Sequence, residues 1–143
     1  MVKIQRTALV EYSAGQMFNL VDDIESYPLF LPDCHAAEVL ERGAHFCKAR
    51  LGLKKLGVTQ YFTTRNDTQR PEWIRLHLVE GPFRLLEGEW RFLDLAPQAC
   101  KVSLDLRYEF SHVLLELTLG PIMKTLSHNL LDAFVSRAKT LYG

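Results

Sequence analysis

The hydrophobic period changes along this chain, and that change restricts the fold more than any single motif. From about residue 34 to residue 111, apolar and polar side chains alternate as they do in half-buried strands. Strand-like runs cover 35–42, 45–54, 58–66, 72–79, 85–95 and 100–110. Arg42-Gly43, Leu56-Gly57, Arg70-Pro71 and Ala96-Pro97 punctuate them. Consecutive strands with no helix between them predict an antiparallel meander, because parallel neighbours need long crossover connections. Residues 3–12 supply one further strand at the start of the chain.

Two helical signals flank this block. Ser13 and Gln16 stand at the spacing of a capping box, with Tyr12 and Met17 placed for a hydrophobic staple, so a short amphipathic helix follows. Tyr27-Pro-Leu-Phe-Leu-Pro32 carries a proline near each end and predicts one short helical turn flanked by loops. After Gly120-Pro121 the period returns to 3.6, and Gly at N-cap with Pro at N1 predicts the helix start there. Ile122, Leu126, Leu130, Ala133, Phe134 and Leu141 then fall on one arc of roughly 120°. Residues 112–119 fit either a helical turn or an irregular crossing.

In the last two strands Leu86, Gly88, Trp90 and Phe92 share a face, as do Val102, Leu104, Leu106, Tyr108 and Phe110. A hairpin centred on Gln98 predicts Arg91 opposite Asp105 and Glu89 opposite Arg107. It also sets Gly88 beneath Tyr108 and Glu87 against Glu109. The predicted class is α+β: a curved antiparallel sheet of about seven strands around a long C-terminal helix, with short helices after the first strand. One helix roughly 10–12 Å across is too narrow to cover so wide a sheet. The uncovered apolar residues then either fill the core or line a ligand cleft.

At 143 residues the chain predicts one domain. Lys and Arg number 17, as do Asp and Glu, so no global field draws it to nucleic acid or anionic membrane. Three cysteines are too few for a disulfide scaffold and favour a reducing compartment. No run approaches the roughly 20 apolar residues of a membrane span, and the N-terminus has no signal-peptide core. The expected location is the cytoplasm.

Enzyme signatures are missing: there is no G-x-S-x-G elbow, P-loop or G-x-G-x-x-G turn, and no catalytic residue is assigned. Asp22 and Asp23 read as a solvated helix end. No metal site is expected, because a hairpin about Gly43-Ala44 separates Cys34-His35 from His45-Phe-Cys47 by about 26 Å. Between residues 42 and 70 seven cations face Asp67 alone, a local charge of +6. Lys48, Arg50 and Lys54 share one strand face and Lys55 adjoins them, so these four are candidate contacts to RNA phosphates. Arg137 falls inside the apolar arc of the last helix. It either donates to a ligand oxygen or snorkels to solvent.

Tyr27-Pro-Leu-Phe-Leu-Pro32 resembles the Y-P-x-F-L-P motif of the coenzyme Q-binding branch of the START superfamily. Glu80-Gly-Pro-Phe83 and Leu86-x-Gly88-x-Trp90-x-Phe92 resemble it too. Arg6-Thr-Ala-Leu-Val10 and Ala133-Phe-Val-Ser-Arg-Ala138 are similar to the bacterial ribosome association toxin A proteins of the same START-like (polyketide cyclase/dehydrase) superfamily. The resemblance implies a helix-grip fold and two activities. One is non-enzymatic binding of ubiquinone in support of respiration, with the quinone a ligand and not a redox cofactor. The other is binding to the large ribosomal subunit that blocks subunit joining. For the first, the candidate cavity residues are Leu31, Phe83, Trp90, Phe92, Tyr108, Leu126, Leu130, Phe134 and Arg137. Transient membrane contact and self-association are further expectations for an apolar groove.

Overall fold

The computed structural model describes all residues, 1–143. Seven strands form one antiparallel sheet: β1 (Val2–Val10), β2 (Cys34–Arg42), β3 (Phe46–Lys55), β4 (Val58–Gln69), β5 (Trp73–Glu80), β6 (Phe83–Ala96) and β7 (Ala99–Phe110). Their order is β1-β7-β6-β5-β4-β3-β2. The six later strands meander as the alternation predicts, and β1 closes on β7 with Val2 opposite Tyr108 and Val10 opposite Cys100. The helices are α1 (Ala14–Asp22), a 3-10 helix (Ile24–Leu29) and α2 (Val113–Tyr142).

The predicted capping box is formed. Ser13 Oγ accepts from Gln16 N at 3.1 Å, and Gln16 Oε1 accepts from Ser13 N at 2.9 Å. The Ala14 amide donates to Asp94 at 2.8 Å, which fastens α1 to the far end of β6. Pro28 lies inside the 3-10 helix, where few bonds are lost to its missing N–H.

The start of α2 differs from the Gly120-Pro121 reading. The helix begins at Val113, with His112 as N-cap accepting from Leu114 N at 3.1 Å. Pro121 sits inside it and deprives the Leu117 carbonyl of its usual donor. Burial of Leu119 and packing of Leu115 on the core offset that loss. The buried stripe runs through Leu119, Met123, Leu131 and Ala138 besides Ile122, Leu126 and Phe134, whereas Leu141 is exposed.

The β6–β7 register is slipped by two residues from the Gln98-centred one. Arg91 faces Ser103, Glu89 faces Asp105, Gly88 faces Leu106 and Glu87 faces Arg107. A slip of two keeps every side chain on its face, so burial does not decide between the registers. Glu87 now pairs with Arg107, Glu109 with Arg84, and Glu89 bridges Arg75 and Arg91. Tyr108 lies opposite Leu86 and not over Gly88. A Cβ on Gly88 would stand 3.1 Å from the Leu106 side chain and 3.3 Å from that of Leu76, so these two leucines close over the glycine.

Asp22 also departs from its reading as a solvated helix end. Its side chain is only 11% exposed and takes Arg42 at 3.1 Å and Arg70 at 2.9 Å. No helix of the molecule is long and apolar enough to cross a membrane.

Candidate ligand-binding site

Between the inner face of the sheet and α2 lies a cavity of about 90 Å³. Sixteen of its 19 lining residues are hydrophobic, so its walls favour an apolar occupant. Leu31, Trp90, Leu126, Leu130 and Phe134 line it. They come from the segment after the 3-10 helix, from β6 and from three successive turns of α2. Phe134 organises one end: its ring lies 5.2 Å from Trp90, 5.3 Å from Tyr27 and 5.2 Å from Phe30, all edge to face.

Phe83, Phe92 and Tyr108 are buried outside the cavity wall. Phe83 stacks on Phe110 at 5.0 Å, and Phe92 meets Phe18 of α1 at 5.7 Å. Tyr108 packs against Phe83, and burial raises its phenol pKa, partly opposed by the Ser127 hydroxyl. These residues share a face with the lining side chains, but the sheet is wide enough that only its middle adjoins the cavity. Arg137 is likewise outside. Its guanidinium carbon lies 5.3 Å from the Phe30 ring centre, in an outer groove with Leu29, Pro32 and Asp132. Its Nε is buried without a hydrogen-bond partner.

The wall also contains groups that the cavity reading of the sequence omits. Tyr27 contributes from the 3-10 helix, and Thr64 and Asn66 contribute from β4. The Tyr27 hydroxyl donates to the Val21 carbonyl, and burial pushes its pKa far above the ordinary phenol value. Ser127 donates to the Met123 carbonyl at 2.6 Å. No carboxylate, histidine, lysine or arginine borders the cavity. Cys47 stands opposite Arg42 and Cys34 opposite Leu53, so the Cys/His pairs occupy opposite ends of the β2–β3 hairpin.

On the outer face, Lys48, Arg50 and Lys54 line up as their alternation predicts, but neighbouring acids dilute the charge. Arg50 pairs with Glu38 at 2.8 Å, Lys55 with Asp33 at 3.6 Å and Arg65 with Asp67 at 3.1 Å. Lys48 faces Glu41 across the β2–β3 ladder. The count over 42–70 includes Asp67 but leaves out Asp33, Glu38 and Glu41, which precede that window.

A curved antiparallel sheet gripping one long helix around an apolar cavity defines the START-like class. The family described as "Polyketide cyclase / dehydrase and lipid transport" matches residues 10–135, and the chain belongs to it. Within it the chain falls in the branch of the RatA and COQ10 proteins. It is 43% identical over 143 residues to the ribosome association toxin RatA of Escherichia coli (strain K12), covering 100% of this chain and 90% of that one. It is 23% identical to the coenzyme Q-binding protein COQ10 homolog B, mitochondrial, of Xenopus laevis, over 99% of this chain and 60% of that one. The fold is shared with the ZhuI aromatase/cyclase from Streptomyces, with a TM-score of 0.78 at 20% identity over 96% and 93% of the two chains.

Proposed function

We propose that the protein is a non-catalytic binder of an apolar, ring-bearing lipid, with ubiquinone the favoured ligand. The observation that carries this reading is the cavity itself, with its apolar wall and no ionisable group active near neutral pH. Catalysis on the related cyclase fold would call for an acid or base beside the substrate, and this wall offers none. Its size sets a condition. Pockets for drug-sized ligands run to roughly 300–1,000 Å³, so about 90 Å³ takes only part of such a ligand. A prenyl tail leaves by displacing the 24–32 segment, whose Tyr27, Phe30 and Leu31 lie against Phe134 or line the cavity. Apolar burial, at roughly 25 cal/mol per Å², supplies most of the affinity.

The test is native mass spectrometry of protein purified gently from a quinone-producing host, followed by solvent extraction. A stoichiometric adduct that extracts as ubiquinone supports the reading. A clean apo mass, with no adduct after titration with ubiquinone, overturns it.

A second reading rests on the 43% identity to proteins named for ribosome association. In it the outer face of β3, with Lys48 and Lys54 outside any ion pair, contacts the phosphates of the large subunit. The two surfaces lie on opposite faces of the sheet, so one molecule can use both.

A further inference from the structure

β4 turns Phe62, Thr64 and Asn66 toward the cavity, and the last two, with Ser127 of α2, interrupt an otherwise apolar wall. Asn66 is 9% exposed, and its neighbours across the ladders are Cys47 and Leu76, neither an oxygen-bearing side chain. Thr64 Oγ1 donates to Asn66 Oδ1 at 3.1 Å. That bond uses the carboxamide oxygen and leaves Nδ2, with two hydrogens, donating to no protein atom. The indole Nε1 of Trp90, on the same cavity wall, is also without an acceptor. Neither nitrogen is sealed in protein, since Arg137 Nε is the one fully covered side-chain atom lacking a partner. The other polar hydrogens nearby are engaged, Ser127 with Met123 and Tyr27 with Val21. A ligand that displaces water from these donors without offering an acceptor leaves them buried and unpaired, and a ligand oxygen avoids that penalty.

We propose that Asn66 sets the head-group specificity of the cavity by donating from Nδ2 to a carbonyl oxygen of the ligand. Ketones and quinones are thereby preferred over hydrocarbons of the same shape, and an ammonium head group meets donor against donor. This rests on the ligand-binding reading above and adds the polarity of the group that is recognised.

The test compares acetophenone with α-methylstyrene, which replaces C=O by C=CH2 at nearly constant shape. Dissociation constants are measured by calorimetry for the wild type and Asn66→Leu. One ordinary hydrogen bond predicts a preference for acetophenone of about tenfold in the wild type. In Asn66→Leu that preference disappears while α-methylstyrene affinity stays. If the variant keeps the preference, the assignment of Asn66 is overturned and the ligand-binding reading stands. If neither probe binds the wild type, that reading itself falls. Should Asn66→Leu not fold, the wild-type side-chain amide decides: its NMR signals shift with acetophenone and not with α-methylstyrene. Signals unmoved by bound acetophenone overturn the assignment.

Discussion

Arg70 Nη2 lies 2.9 Å from the Asp22 carboxylate, tying the turn between β4 and β5 to the last residue of α1. Arg42 reaches the same oxygen at 3.1 Å from the end of β2. One nearly buried carboxylate therefore joins three segments that are distant in sequence. Asp22→Ala removes the carboxylate partner of both guanidiniums and leaves Arg42 its bond to the main-chain carbonyl of residue 22 and Arg70 its bond to Asn19. Both are about half exposed, so water offsets much of the loss, and destabilisation of about 1–2 kcal/mol is expected. Thermal melting should show a fall of about 3–8 °C. An unchanged melting temperature would mean that the arginines are as well served by solvent.

The capping box yields a smaller effect. Ser13→Ala removes the Oγ acceptor of the Gln16 amide and costs about 1 kcal/mol, whereas Ser13→Gly costs only a few tenths more than wild type. Urea midpoints of the two variants should therefore separate, with alanine the weaker.

Filling the cavity should dissociate stability from binding. Leu126→Phe places an aromatic ring where about 90 Å³ is free. The change in folding stability should stay below about 1.5 kcal/mol, because the added volume meets space and not packed atoms. Ligand uptake, read from quenching of Trp90 fluorescence by a quinone in a Trp73→Phe background, should be lost. Retained uptake would place the ligand elsewhere.

Alkaline pH should weaken the fold through its thiols. Burial pushes the Cys34 and Cys100 thiols up to about 11 from an ordinary 9.0. Between those values the unfolded chain has released these protons while the folded chain still holds them. Ionisation thus favours the unfolded state, and stability present below pH 9 is lost as the pH rises to about 11. Tyr27 is shifted in the same direction. Urea midpoints measured from pH 7 to pH 10.5 should decline, and less steeply in a Cys34→Val, Cys100→Val double variant.

The ribosome reading makes a separable prediction. Cosedimentation with the large subunit should weaken as salt rises and drop further in Lys48→Glu, Lys54→Glu, with the melting temperature nearly unchanged. Equal cosedimentation of wild type and variant would remove the β3 face from that contact.

The strand block, the capping box and the side of each strand that faces inward are legible in the sequence, because period and local spacing encode them directly. The beginning of α2 is not. Gly120-Pro121 reads locally as a helix start, and burial of Leu119 with packing of Leu115 on the core lets the helix begin earlier, at Val113. The β6–β7 register escapes for a different reason. Two registers separated by two residues bury the same side chains, so the alternation alone does not choose between them. Five of nine nominated cavity residues reach the cavity because facing inward is a local property. Lying under the hollow part of the sheet is not, which is why Phe83, Phe92 and Tyr108 fall outside. Asn66 had a visible signal: it continues the inward alternation of Phe62 and Thr64 with a side chain that no core requires.

The pairing of β1 with β7 also sets a condition on biosynthesis. Val2 finds its partner Tyr108 only after about a hundred more residues have been made, and α2 is made after that. Until β7 has been made, β1 waits with both edges unpaired, and until α2 follows the inner face of the meander lacks its helix. Such long-range closure is slow, and exposed strand edges invite pairing with other chains. This protein therefore becomes able to complete its sheet only once β7 has been made.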